Sequence, residues 1–151
     1  MEGFKLCSGA RWHLLIDAPW GWAVSRHATT AVRGAVVVTD NPCPEYKLDL
    51  LEQEPAALLS GVSLPDIVRT LNLLEAGQKQ PLPKLSSPLT PVERLTLRLA
   101  ARGCDNKVIA KARNTGEGTV KNSLQVVFQK LGFESRVQLA HYYGNWHALD
   151  D

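Results

Sequence analysis

Gly116-Glu117-Gly118-Thr119-Val120-Lys121-Asn122 places a tight turn directly ahead of a helix opening Thr-Val-Lys, at the centre of a helical stretch running from Leu89 to Ala140. From Glu117 to Leu131, Val120, Leu124, Val127, Phe128 and Leu131 recur at spacings of three and four. They leave Lys121, Asn122, Gln125, Gln129 and Lys130 on the opposite side, the pattern of a helix with one buried face. Upstream, Asp105 is placed to cap a short helix containing Val108, Ile109 and Ala110, which Asn114-Thr115-Gly116 ends. Earlier still, Thr90, Pro91 and Glu93 give an N-cap, a proline at the first helical position and an acidic first turn. Val92, Leu95 and Leu99, with Leu97 and Ala100 beside them, continue that helix to the stop at Gly103. Leu131-Gly132 closes the long helix, and Ser135 is expected to cap a fourth one bearing Val137, Leu139, Ala140 and Tyr143.

Two short helices followed by one exposing Lys, Asn and Gln satisfy what major-groove recognition requires. Amines and amides near a helix start reach base edges, while hydroxyls, lysines and backbone N–H groups hold the flanking phosphates. Spacing alone fits equally well a small helical bundle whose polar face is merely solvated.

The wording of the stretch goes further. Leu89-Thr90-Pro91, Glu93-Arg94, Leu97-Arg98-Leu99, Asn106-Lys107, Ile109-Ala110, Glu117 to Asn122, Lys130-Leu131-Gly132 and Ser135 to Ala140 resemble the LuxR/FixJ/NarL-type DNA-binding domain, without a gap from Leu89 to Ala140. The resemblance implies a four-helix domain whose third helix enters the major groove and whose fourth helps dimerisation. It implies that Lys121, Asn122 and Gln125 face base edges. It also implies that Asn106, Lys107, Thr119, Ser123, Lys130, Ser135 and Arg136 meet the phosphate backbone.

Departures from the family pattern cluster just ahead of the recognition helix. Arg113 and Thr115 stand where an apolar core residue is usual. Because an unpaired buried charge is costly, Arg113 is expected to snorkel outward or pair with an acidic group, leaving that corner loosely packed. Ser123 replaces a larger polar residue and Gln129 an often basic one. Fewer phosphate contacts would weaken binding and flatten its salt dependence.

Charge is distributed unevenly along the chain. Residues 1–83 hold seven Lys/Arg against nine Asp/Glu, a balance of −2, and residues 84–151 hold ten against six, a balance of +4. A nucleic-acid footprint is therefore expected on the C-terminal half. At 151 residues and 44% hydrophobic content the chain can form one domain or two small ones. No apolar run approaches the roughly 20 residues that span a bilayer, and no leader pattern opens the sequence, so a cytoplasmic location without membrane contact is expected. Cys7, Cys43 and Cys104 include no CxxC pair, and His13, His27, His141 and His147 form no ligand pattern. Neither a disulfide framework nor a metal site is expected. Cys43 has no base near it in sequence, so a nucleophilic role is not expected either.

Gly77 to Pro88 is rich in Pro, Ser and Gln and reads as a semi-extended linker. The expected organisation is therefore an α/β domain over residues 1–78, a linker over 79–88 and an all-α domain over 89–151. In the first, Trp12–Ile16, Ala35–Thr39 and Ala56–Leu59 read as buried parallel strands. Helices are expected near Trp20–Val32 and Glu45–Glu52 and from Ser63-Leu64-Pro65 onward through Ile67, Val68, Leu71 and Leu74, giving a small parallel sheet.

Residues 35–77 resemble the closing half of a response-regulator receiver domain, carried by Val36-Val37-Val38-Thr39, Ala57-Leu58-Leu59-Ser60 and Ser63-Leu64-Pro65-Asp66-Ile67. Residues 1–78 are too few for a complete receiver, so a truncated one is expected. The resemblance places Thr39 at the hydroxyl position, Asp17 at the phosphoacceptor and Ser60 in place of the lysine, and no earlier acidic pair is present to hold Mg²⁺. A degenerate pseudo-receiver, without phosphorylation, is the expectation. Trp20 and Trp22 after Asp17 are expected to fill a small core or line an interface, and Trp146 to anchor the C-terminal tail.

The resulting expectation is an atypical response regulator that binds double-stranded DNA, most readily as a homodimer, with RNA polymerase or another regulator as a further partner. No catalytic residue and no cofactor are called for. The alternative is a protein-interaction module that keeps the fold, has lost DNA binding and modulates another regulator.

Overall fold

The computed structural model describes residues 11–17, 29–61 and 63–144. Packing divides the chain into two units, one taking residues up to 42 together with 47–85, the other 43–46 together with 86 onward.

The first unit runs β1 (Leu14–Ile16), α1 (Thr29–Val32), β2 (Val36–Thr39), all but the first turn of α2 (Pro44–Leu51), β3 (Ala57–Ser60) and α3 (Leu64–Glu75). All pairing is parallel in the order β1-β2-β3, with Leu14 opposite Val36 and Val36 opposite Ala57. Parallel neighbours need a crossover, so each strand is separated from the next by a helical segment. The central strand β2 is buried throughout, which is why it reads as an unbroken Val run rather than an alternation. Val36, Ala57 and Leu74 form a core cluster against which Trp12, Leu14, Ala56, Leu59 and Leu71 pack.

The second unit contains α4 (Pro91–Ala101), α5 (Asn106–Arg113), α6 (Glu117–Leu131) and α7 (Arg136–Gly144). Helix α4 starts in a reciprocal capping box: Glu93 N–H donates to Thr90 Oγ1 and Thr90 N–H to Glu93 Oε2. Asp105 Oδ1 caps α5 by accepting from Val108 N–H at 2.8 Å. Asn114 ends α5 in the left-handed conformation at φ 50°, and Gly132 ends α6 at φ 71°, a geometry glycine adopts without steric penalty. The core holds Leu97, Ala100, Ile109, Ala110, Val120, Leu124, Val127, Leu139 and Tyr143.

The expected elements are present, with boundaries within two residues for the strands and α2 to α7, and the fold is a small parallel α/β sheet followed by a four-helix domain. Several side chains face the other way. Val92, which helical spacing placed on the apolar face of α4, is exposed, and so are the apolar Val68, Val108 and Val137 of α3, α5 and α7. In α4 the buried stripe instead passes through Arg94, Thr96, Leu97 and Ala100. Thr96 tolerates this because its hydroxyl donates to the Val92 carbonyl at 3.0 Å, so no donor is stranded. Of the helix expected over Trp20–Val32, only Thr29–Val32 falls among the described residues. Trp20, Trp22, Trp146, Cys7, His27 and His147 lie outside them.

Candidate nucleic-acid interface

Helix α6 carries the base-reading candidates. Val120, Leu124 and Val127 fasten one side of it into the core, and this rotation leaves Lys121, Asn122 and Gln125 exposed. One ammonium and two amides thus share a solvent face in the first half of the helix, where side chains can enter a groove. Thr119, in the first turn, is exposed as well.

The phosphate candidates divide into two groups. Lys107, in the first turn of α5, is exposed like Thr119. The others already serve partners inside the unit. Arg136 Nη1 donates to the Cys104 carbonyl at 2.6 Å and Nη2 donates to Asn106 Oδ1. Asn106, Lys107 and Arg136 meet along one open cleft of about 820 Å³, bordered also by Asp105, Glu117 and Val137. Ser135 Oγ accepts from Gln138 N–H at 3.3 Å while Ser135 N–H donates to Gln138 Oε1 at 3.1 Å, a second reciprocal cap. Lys130 Nζ donates to both oxygens of Glu93, at 3.0 and 2.7 Å.

Glu93 therefore closes the α4 cap and ties α6 to α4 at once. Burial pushes its carboxyl up, but the hydrogen bonds from Lys130 and Thr90 outweigh that and hold it below the usual range. A depressed carboxyl contributes stability that is present above its unfolded value and is lost as pH falls through the folded one. Glu93→Gln is accordingly expected to be less stable than wild type at pH 7, the gap closing below about pH 4. Denaturant midpoints measured across pH check this, and a gap that persists unchanged in acid would contradict it.

Arg113, the last residue of α5, neither points away from the unit nor takes an acidic partner among the described residues. Nη1 donates to Thr96 Oγ1 of α4 at 3.0 Å and to Ser123 Oγ of α6 at 2.9 Å. The corner expected to be loose is tied by hydrogen bonds across three helices. A cation at the C-terminal end of α5 also meets the negative end of that helix, so part of its desolvation is offset.

In the first unit, Asp17, Thr39 and Ser60 follow one another across the carboxyl edge of the sheet. Thr39 Oγ1 donates to Asp17 Oδ2 at 3.1 Å, Thr39 lies opposite Ser60, and Lys47 Nζ donates to Ser60 Oγ at 3.2 Å. No group of three or more His, Cys, Asp or Glu side chains placed to hold a metal occurs among the described residues. Cys43 is buried, and burial pushes its thiol up to about 12, the opposite of what a nucleophile needs.

Residues 87–143 match the sequence model described as bacterial regulatory proteins, luxR family. A Mycobacterium tuberculosis HTH-type transcriptional regulator is 49% identical over 51 residues, which is 34% of this chain and 6% of that protein. The nitrate/nitrite response regulator NarL of Escherichia coli K12 is 33% identical over 99 residues, 64% of this chain and 44% of NarL. That alignment is longer than the C-terminal unit, so the likeness reaches into the first one. The chain spans less than half the length of either relative. By structure, it resembles RcsB of Salmonella enterica serovar Typhimurium bound to promoter rprA (TM-score 0.50, 23% identity, 73% of this chain and 59% of that one). A second likeness is to an RcsB–DNA complex (TM-score 0.50, 22% identity, 87% and 74%). Both are likenesses of fold: a receiver-like sheet and a helix-turn-helix domain.

Within residues 87–143, sequence reasoning did not foresee that Thr96 and Ser123 share Arg113, or that Lys130 and Arg136 have internal partners. A threonine on the buried stripe of α4 was the available signal for the first. Nothing local announces the others, whose partners lie 37 and 30 positions away.

Proposed function

We propose that this chain is a sequence-specific DNA-binding transcriptional regulator that works by binding alone, as a homodimer and without phosphorylation. The alignment of Lys121, Asn122 and Gln125 on the exposed face of α6 carries this reading. These three read base edges. Thr119 and Lys107 hold phosphates directly. Asn106, Ser123, Lys130, Ser135 and Arg136 add to the phosphate side through donors their internal partners leave over: the Asn106 amide N–H₂, the serine O–H groups, the third Lys130 proton and the remaining Arg136 N–H groups. Val137, exposed on α7, supports a second copy of the chain as partner. Among the described residues no three His, Cys, Asp or Glu side chains are grouped to hold a metal, which supports independence from phosphorylation, since a receiver's chemistry needs clustered carboxylates for Mg²⁺.

Selection of bound fragments from random duplex DNA, followed by fluorescence anisotropy across salt, tests the reading. A recurrent motif bound with a linear log–log salt dependence is the expected result. Failure to retain any duplex at low salt would overturn it and favour the protein-interaction module. Lys107→Ala is expected to weaken binding to every sequence alike and to reduce the salt slope by about 0.9, which the same titration measures.

A further inference from the structure

Within the DNA-binding reading, we propose that Arg113 is a positioning residue that turns Ser123 into a donor for a DNA backbone phosphate without itself touching DNA. A hydroxyl has one proton to give and lone pairs to accept with. At Thr96 both roles are filled: the oxygen accepts from Arg113 Nη1, and the proton goes to the Val92 carbonyl. At Ser123 only the first is filled. Its oxygen accepts from the same Nη1 at 2.9 Å, and among the described residues no group takes its proton. Both hydrogens of Nη1 are thereby used, and Arg113 Nε is buried without a partner among the described residues, so neither nitrogen presents an N–H to solvent. Ser123 is half-buried on α6, beside the exposed Asn122 and two residues before Gln125.

The arrangement has a direction. With its lone pair accepting from the cation, the Ser123 hydroxyl does not also offer its proton toward Arg113. The O–H is left for a group outside the unit. A hydroxyl that accepts from a charged donor is polarised into a better donor itself, and the anionic oxygen of a phosphodiester next to the groove is the acceptor such a donor suits. Arg113 thus supplies its charge through Ser123, and the fork that holds α4, α5 and α6 together also sets the hydroxyl.

The test is a double-mutant cycle read by anisotropy on the selected DNA, using full-length wild type, Ser123→Ala, Arg113→Met and the double variant, with helical circular dichroism as a folding control. Each single variant is expected to bind roughly threefold to tenfold more weakly, and the double no worse than either, because both remove one contact. The salt slope is expected to stay at its wild-type value in Arg113→Met. Additive losses, unchanged affinity of Ser123→Ala, or a slope lowered in Arg113→Met by the about 0.9 of a direct phosphate contact would each overturn the proposal while leaving DNA binding intact. Absence of DNA binding by wild type would overturn the functional reading and this role with it. If Arg113→Met fails to fold, Arg113→Lys, which keeps the charge but loses the planar fork, takes its place in the cycle with the same expected outcomes.

Discussion

Leu97→Ala is expected to destabilise the C-terminal unit by about 2–5 kcal/mol, the range for removing a fully buried leucine with partial collapse around the cavity. Leu97 is 0% exposed, on the stripe of α4 that packs against both α6 and α7. Its loss therefore loosens the seat of α6 and not only one pairwise contact. A domain is stable by about 5–15 kcal/mol in all, so the variant should melt about 10–40 °C earlier or unfold during purification. Val92→Ala on the same helix is the control. Val92 is 53% exposed, and alanine has the higher helix propensity, so that variant should remain within about 0.5 kcal/mol of wild type. Denaturant unfolding followed by circular dichroism gives both numbers. Equal effects from the two substitutions would mean that the buried stripe of α4 is misassigned.

The pair Leu97 and Val92 also shows what the sequence could convey. Helix existence was legible because its signals are local: Thr90 and Glu93 announce the start of α4, Asp105 that of α5, and Gly132 the end of α6. Rotation was legible for α6, where five apolar residues at spacings of three and four leave no second solution. It was not legible for α4, where the apolar run Val92, Leu95, Leu97 and Leu99 covers more than one face, and where the residues that share the buried stripe with Leu97 include Arg94 and Thr96. Hydropathy assigns such residues outward. Only the hydroxyl's own carbonyl partner and the guanidinium of Arg113, 17 positions away, make Thr96 acceptable inside. The same limit applies to the interface. Exposure of Lys121, Asn122 and Gln125 follows from the period of one helix, whereas the internal partners of Lys130 and Arg136 depend on how separate helices meet.

Those partners matter for the second large effect, because Lys121, on the exposed face of α6, has no such internal partner among the described residues. Lys121→Ala is expected to weaken binding to the preferred site by about 1–3 kcal/mol, the discrimination carried by a good base-edge contact. Preference at the contacted position should be lost while affinity for random duplex changes much less. A lysine donating to guanine O6 and N7 would produce this pattern, since only guanine offers two major-groove acceptors side by side. The unfolding midpoint should not move, because the side chain is exposed and the core face of α6 lies opposite. This separates Lys121 from Lys130, whose replacement would also free Glu93 and disturb the α4 cap. Binding by anisotropy to the selected site and to variants carrying each other base at one position distinguishes the cases. A uniform loss across all duplexes would make Lys121 a phosphate contact and move base reading to Asn122 and Gln125. An unchanged affinity and an unchanged motif would remove α6 from the groove and, with it, the helix-turn-helix mechanism.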